Sequence, residues 1–182
     1  MAIRNILSDE DTALYKTSRN VTDFGSRLHT LIDDMRETLL DANGIGLAAP
    51  QVGVLRRVAL IIDTSRESDE DANTRPGDNI IELINPVFLH QEGEESSSEG
   101  CLSVPGVYGI VMRPQAVKIK AQDRYGNEYE LDAAGLTARA ICHEIDHLNG
   151  VLFTSVAERI LTDEEVEEMS KSEQQEEEEH RI

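Results

Sequence analysis

His143-Glu144-Ile145-Asp146-His147 reads H-E-x-x-H inside a segment, Leu136 to Leu148, that otherwise has the character of a helix. Two histidines four residues apart share one helical face, about one turn from each other. Both imidazoles can therefore reach a single metal ion. Glu144 follows the first histidine directly, close enough to contact a metal-bound water without ligating the metal itself. Such an arrangement generates a nucleophile and sets a base beside it, so the stretch predicts a metal-dependent hydrolase. The helix stops at Asn149-Gly150, a good C-terminal signal.

Upstream the pattern is mostly extended. Val58 to Ile62 reads as a buried strand, and Ile80 to Leu89 as one or two more. Ala116 to Ala121 alternates, Tyr125-Gly126-Asn127 turns, and Glu128 to Leu131 returns, which predicts a β-hairpin. Phe24 to Leu40 is an amphipathic helix, with Leu28, Leu31, Ile32, Met35 and Leu39 at helical spacing. Thr22 or Asp23 is expected to cap it, Asn43-Gly44 to close it, and His29 to sit on its solvated side. Gly44-Ile45-Gly46-Leu47-Ala48-Ala49-Pro50-Gln51-Val52-Gly53 is rich in small residues. It reads equally well as a tight turn into a strand or as a substrate-facing loop. Strands come first and the main helix late. The expected class is α+β: antiparallel or mixed β-sheets packed around a central helix carrying H-E-x-x-H.

The chain has 182 residues, 39% of them hydrophobic and 29% charged, which fits a soluble globular protein with a real core. It has no apolar run long enough to span a bilayer. The first residues meet Ser8-Asp9-Glu10-Asp11 too early for a signal-peptide core, so a cytoplasmic location is expected. Formal net charge is −19. Residues 162–182 alone hold ten Asp or Glu against Lys171 and Arg181, and Glu67 to Asp71 is a second acidic run. Overall this is the opposite of a nucleic-acid footprint. Residues 1–160 are read as a single catalytic domain. Residues 161–182 are read as an acidic tail, a short helix at most before it frays. The stretch from Thr64 to Asn79 reads as a solvated loop.

A catalytic site of this type uses three protein ligands and keeps one position for water. Extension to H-E-x-x-H-x-x-G-x-x-H fails, because Phe153 stands where the last histidine must be. Glu164 or Glu165 is a possible ligand at a tolerable distance, but both sit in the acidic end, where a charge run is usually a solvated face. Cys142 points about 100° around the helix from His143, so a small buried apolar role is expected for it. His90 reads as structural or solvated. Cys101, in Glu99-Gly100-Cys101-Leu102-Ser103-Val104-Pro105-Gly106, is the better candidate, since flanking Gly and Pro fix a special backbone path.

Gly44 to Gln51 (G-I-G-L-A-A-P-Q), Glu99 to Ser103 (E-G-C-L-S) and His143 to His147 (H-E-I-D-H) resemble the three signature motifs of the peptide deformylase family, in the family's order. The similarity runs on through Leu148 to Phe153 and covers roughly residues 1 to 160. The resemblance implies a hydrolase that removes the formyl group from the N-terminal methionine of new proteins and releases formate. It implies Cys101, His143 and His147 as metal ligands and Glu144 as general acid/base. Gln51 and the Leu102 backbone N–H become oxyanion donors, and Gly44, Ile45 and Gly46 lie along the substrate backbone. The implied metal is Fe²⁺, with Zn²⁺, Ni²⁺ or Co²⁺ able to substitute, and a thiolate-bound Fe²⁺ is expected to be oxygen-sensitive. The implied partners are N-formylmethionyl nascent peptides. The acidic C-terminus departs from members that dock on the ribosome through a basic terminal helix. Cys142 departs from members with Gln there, and Tyr108 from members with an Arg nearby. Two other readings use the same motif. One is an endopeptidase ligated by Glu164 or Glu165, the other a non-catalytic binder of formylated peptides.

Overall fold

The computed structural model describes residues 2–66, 79–169 and 171. At its centre is the metal-motif helix, here α2 (Gly135–Leu148). All of α2 is buried except Gly135, Leu136 and Asp146. A helix buried nearly all round belongs inside a fold, not on its surface. Its last turn is closed by the Asn149 N–H, which donates to Ile145 O and Asp146 O, and by Gly150 at φ 76°. Gly150 is needed twice over. Its φ is left-handed, and a Cβ there would stand 2.7 Å from the Tyr15 carbonyl carbon.

Five strands form one antiparallel sheet in the order β1-β2-β3-β6-β7. They are β1 (Gly46–Ala48), β2 (Val58–Ile62), β3 (Ile80–Glu92), β6 (Ala116–Gln122) and β7 (Glu128–Ala134). The second sheet holds β4 (Glu95–Cys101), β5 (Val104–Arg113) and β8 (Arg159–Ile160), also antiparallel. Strand β2 shows why its sequence is apolar without interruption. Ala59 and Ile61 face α2, packing with Ile141, Ile145 and Leu148. Val58 and Leu60 face the other way, toward α1 (Ser26–Asp41), with Leu31, Ile32, Met35 and Leu39. Side chains alternate across a strand, so a strand sandwiched between two helices needs both faces apolar. The fold is α+β, as expected.

Some boundaries differ. Helix α1 begins at Ser26 rather than Phe24, with Gly25 as its cap residue and Asp23 Oδ1 accepting the Gly25 N–H at 2.9 Å. His29 is half-buried, not solvated. Its Nε2 lies 2.9 Å from Arg124 O and its ring stands edge-on to Tyr125, so it braces the β6–β7 turn. Ile80 to Glu92 is one strand with two register shifts. At the first, Asn85 adopts φ 51° and its side chain bonds Val21 N, Val21 O and Gln122. Strands β4 and β5 were not foreseen. Of the loop from Thr64 to Asn79, Thr64–Arg66 forms a 3₁₀ turn and 67–78 lie outside the described residues. Of the acidic end, 163–169 are helical and 172–182 lie outside the described residues.

Candidate metal centre

Helix α2 sets His143 and His147 one turn apart, with ring centroids 5.0 Å from each other. The third participant arrives from the second sheet. Strand β4 ends at Cys101, and the chain reverses so tightly that Cys101 pairs with Val104 after a register shift. This turn aims Sγ at the helix, 3.2 Å from His147 Nε2. One ligand atom each from Cys101, His143 and His147 fall within 4.8 Å of one another. Gln51 Nε2 reaches Cys101 Sγ at 3.6 Å, and the Ser103 N–H donates to the same sulfur at 3.4 Å. Two N–H donors suit a thiolate.

The imidazoles are set up as donors. His143 Nδ1 lies 3.0 Å from Glu99 Oε2, a contact that makes Nδ1 a proton donor to the carboxylate and leaves Nε2 as the atom for a metal. Burial disfavours a protonated His143. Its contacts with Cys101 and Glu99 outweigh that and push it up to about 10, so a metal binding Nε2 would displace a proton held there. Burial pushes His147 down to about 3, with His143 adding to the effect, so His147 stays neutral. His147 Nδ1 is buried and has no hydrogen-bond partner among the described residues. Phe153, whose position excluded one ligand pattern, stacks on His143 at 6.0 Å. One sulfur and two imidazole nitrogens, with one imidazole backed by a carboxylate, fit a divalent transition metal.

Around this set lies a buried charge network that the sequence did not disclose. Glu99 accepts from Arg113 Nε at 2.8 Å and Nη2 at 2.9 Å, and from Arg139 Nη1 at 3.0 Å. Arg113 also reaches Asp146 at 2.6 Å. Burial alone would raise Glu99, but Arg113 and His143 overcome it and hold the carboxyl at about 2. Glu99 is thus a fixed anion behind His143.

Glu144 lines the cleft beside this set. It is 3% exposed, and its Oε2 has no hydrogen-bond partner among the described residues. Burial pushes its carboxyl up to about 7, helped by Glu99 and Asp146 and opposed by His143. Gly46 is its neighbour. A Cβ on Gly46 would collide with the Glu144 carboxyl, lying 2.8 Å from its Cδ. Gln51 is oriented by the Ala48 N–H, which donates to Oε1 at 2.8 Å and so turns Nε2 toward Cys101 and Ser103. The Gly44–Gly53 stretch is both turn and lining: β1 and a 3₁₀ turn at Ala49–Val52 follow directly on Gly44 and Ile45 at the cleft. The cleft itself is about 450 Å³, and Gly44, Ile45, Gly46, Gln51, Leu102 and Glu144 all line it.

The other candidates lie elsewhere. Cys142 is buried in the core beside Ala138 and Ile145, its thiol pushed up to about 11 by burial. His90 is exposed on β3. Glu164 is exposed, and Glu165 bonds Arg159 and the Thr162 N–H. None of them joins the Cys101, His143 and His147 cluster.

A family model described as polypeptide deformylase matches residues 3–162. The chain is 52% identical over 168 residues to the peptide deformylase of Caldicellulosiruptor bescii, covering 92% of this chain and 93% of the relative. Against that of Alkaliphilus metalliredigens it is 49% identical over 154 residues, covering 85% and 96%. Among solved structures, a peptide deformylase from Legionella pneumophila superposes with TM-score 0.76 at 43% identity, over 85% of this chain and 86% of that one. One from Synechococcus elongatus in complex with actinonin gives 0.76 at 36% identity, over 86% and 79%. The match begins near the N-terminus and runs past the helix of the metal motif, and on that extent the chain belongs to the polypeptide deformylase family.

Proposed function

We propose that the cleft at Cys101, His143 and His147 is where this chain carries out its family's reaction. The chain is a peptide deformylase: it hydrolyses the N-formyl group from the N-terminal methionine of newly synthesised proteins. One observation carries the placement. A sulfur and two imidazoles converge beside a buried carboxyl, Glu144, whose proton affinity is tuned close to neutrality.

Cys101, His143 and His147 would hold the metal, and Fe²⁺ is the proposed native ion, with Zn²⁺, Ni²⁺ or Co²⁺ as substitutes. When bound, such a metal acts as a Lewis acid and lets a water ionise near neutral pH. Glu144 takes the proton of the attacking water as its oxygen adds to the formyl carbon. Glu144 then passes that proton to the leaving nitrogen as the C–N bond breaks, which yields formate and a free amino terminus. Gln51 Nε2 and the Leu102 N–H donate to the formyl oxygen as it gains charge. Gly44, Ile45 and Gly46 border the peptide backbone, and glycine at 46 leaves room for both the peptide and Glu144. Residues 1–160 serve as the catalytic domain and 161–182 as an acidic appendage. No helix of the described residues is long and apolar enough to cross a membrane. Work in the cytoplasm, where nascent chains are made, completes the proposal.

Glu144→Gln tests it. The variant is expected to bind one metal per chain, yet to deformylate a formyl-Met-Ala-Ser peptide about 10²–10⁴-fold more slowly. Metal-loaded wild-type protein that left such peptides formylated would end the proposal. Cys101→Ala is expected to lose the metal, whereas truncation after Ser155 would do so only if the endopeptidase reading held.

A further inference from the structure

Residues 2–8 belong to no helix or strand, yet the backbone donors of this arm meet chosen partners. The Leu7 N–H donates to Gln51 O at 2.8 Å, and the Asp9 N–H to Ser103 O at 2.9 Å. Between them, the Ser8 N–H has no hydrogen-bond partner among the described residues. Gln51 and Ser103 come from different layers. Gln51 lies in the 3₁₀ turn Ala49–Val52, which follows β1 of the five-stranded sheet. Ser103 lies in the turn from β4 to β5 of the second sheet. Both are closed off from solvent, at 1% and 0% exposure. Their side chains also meet, Gln51 Nε2 donating to Ser103 Oγ at 3.2 Å. The hydrogen bonds therefore close a ring. It runs from Gln51 O through Leu7, Ser8 and Asp9 to Ser103 O, and returns from Ser103 Oγ to the Gln51 amide. Each corner is fixed from outside. The Ala48 N–H holds Gln51 Oε1, and the Ser103 N–H is held by Cys101 Sγ. The arm is fastened on both sides, by Thr38 Oγ1 accepting the Arg4 N–H at 2.9 Å and by the Tyr15 hydroxyl donating to Asp9 O at 2.8 Å. The Leu7 side chain packs on the cluster of Leu14, Val104 and Phe153.

We propose that Leu7 and Asp9 are positioning residues for the two oxyanion donors. Their N–H groups form a strut between the layers, and the strut sets the gap between Gln51 Nε2 and the Leu102 N–H, one residue before Ser103. The proposal rests on the deformylase reading, since that reading gives both donors a formyl oxygen to bind. A side-chain amide carries two N–H bonds. Ser103 Oγ takes one from Gln51, and the other is left toward the cleft, where Cys101 Sγ is 3.6 Å away. How far apart the two turns stand decides where that second N–H points. Donors of this kind speed a reaction only when they are aimed in advance at the place where charge develops. Two donors from separate sheets meet at one such place only if the sheets are held in register beside the site. The arm does this with backbone groups.

Replacing Leu7 by its α-hydroxy acid counterpart, through nonsense suppression, tests this. The ester removes one N–H and keeps the side chain. The Ile6 carbonyl, which the ester weakens as an acceptor, has no hydrogen-bond partner among the described residues. Deformylation of formyl-Met-Ala-Ser by the full metal-loaded chain is measured well below Tm, with a cooperative melting transition as the check on folding. The Leu7 ester is expected to lower kcat about 10-fold with KM unchanged, against a loss of about 10²–10³-fold for Gln51→Ala. In the Gln51→Ala background the ester should cost nothing more, because coupled residues do not add. The ester at Asp9 is expected to lower kcat to a like extent, and decides the matter by the same readings should the Leu7 ester fail to fold. The ester at Ser8, which removes an unpartnered N–H, is expected to keep the wild-type rate. A folded ester at Leu7 or Asp9 with wild-type kcat overturns the proposal. So does a loss confined to KM, or one that multiplies in full with that of Gln51→Ala, since an arm that only fastens the fold would behave so. Wild-type turnover leaves the deformylase reading standing in each of these cases, whereas an inactive wild-type chain ends that reading and the proposal with it.

Discussion

Glu144 owes its position to the missing side chain at Gly46. The carboxyl packs where a Cβ would be, so Gly46→Ala must move one of the two. A displacement near 1 Å at a reacting group costs on the order of 10²-fold in rate. Steady-state formate release is expected to show that loss in kcat while metal content stays at wild-type level. Glu99 acts one bond further out, through His143 Nδ1. Glu99→Gln is expected to weaken metal binding by about 10–100-fold, read by competition with a chelator. It should also destabilise the fold by about 3–5 kcal/mol, because Arg113 and Arg139 would be left buried around a neutral amide. The residues brought to the cleft were legible in the sequence because each stands in a short motif with unusual chemistry. The role of Glu99 was not. It follows Glu92, Glu94 and Glu95 in a stretch that reads as solvated, and only the fold closes two arginines and a histidine on it.

The elements differ in how plainly they announce themselves. Helices α1 and α2 and strand β2 were readable because their apolar residues repeat at 3.6 or run unbroken. Strands β4 and β5 were not. Glu95-Ser96-Ser97-Ser98-Glu99-Gly100 has no apolar alternation, and Gly100 is glycine so that the Tyr108 ring opposite can lie against it. Burial there is supplied by ion pairs, which leave no periodic trace. The N-terminal arm is a different case, extended and held by side chains of other elements. Asp34 on α1 accepts from the Ala2 N–H at 2.8 Å and from the Arg4 guanidinium at 2.9 Å. Further along, the Leu7 N–H donates to Gln51 O and the Asp9 N–H to Ser103 O, so the arm braces two segments of the site. Asp34→Ala is expected to cost about 1–3 kcal/mol by chemical denaturation. The Ala2 N–H, followed by Arg4, holds the Asp34 carboxyl below its ordinary 3.8, despite burial. A depressed carboxyl contributes its stability in full above that ordinary value and loses it as pH falls through its lower folded-state value. The difference between wild type and variant should therefore shrink below about pH 4, where Asp34 protonates in the unfolded chain and then in the folded one.

At the scale of the whole molecule, a metal held as proposed would tie two layers together. His143 and His147 come from the helix inside the five-stranded sheet, and Cys101 from the second sheet. A ligand that binds only the folded form stabilises it by mass action, about 2.7 kcal/mol at a hundredfold excess over Kd. Stripping the metal with a chelator should lower Tm in calorimetry, and the Cys101→Ala variant should be insensitive to the same treatment. The two thiols of the chain occupy contrasting places. Cys142 is closed off in the core, whereas Cys101 opens on the cleft. An alkylating reagent applied to native protein thus has one target, and a bound metal would shield it. Mass spectrometry after brief alkylation would then count loaded and unloaded molecules in a mixed preparation, one mass increment per empty site, without any substrate.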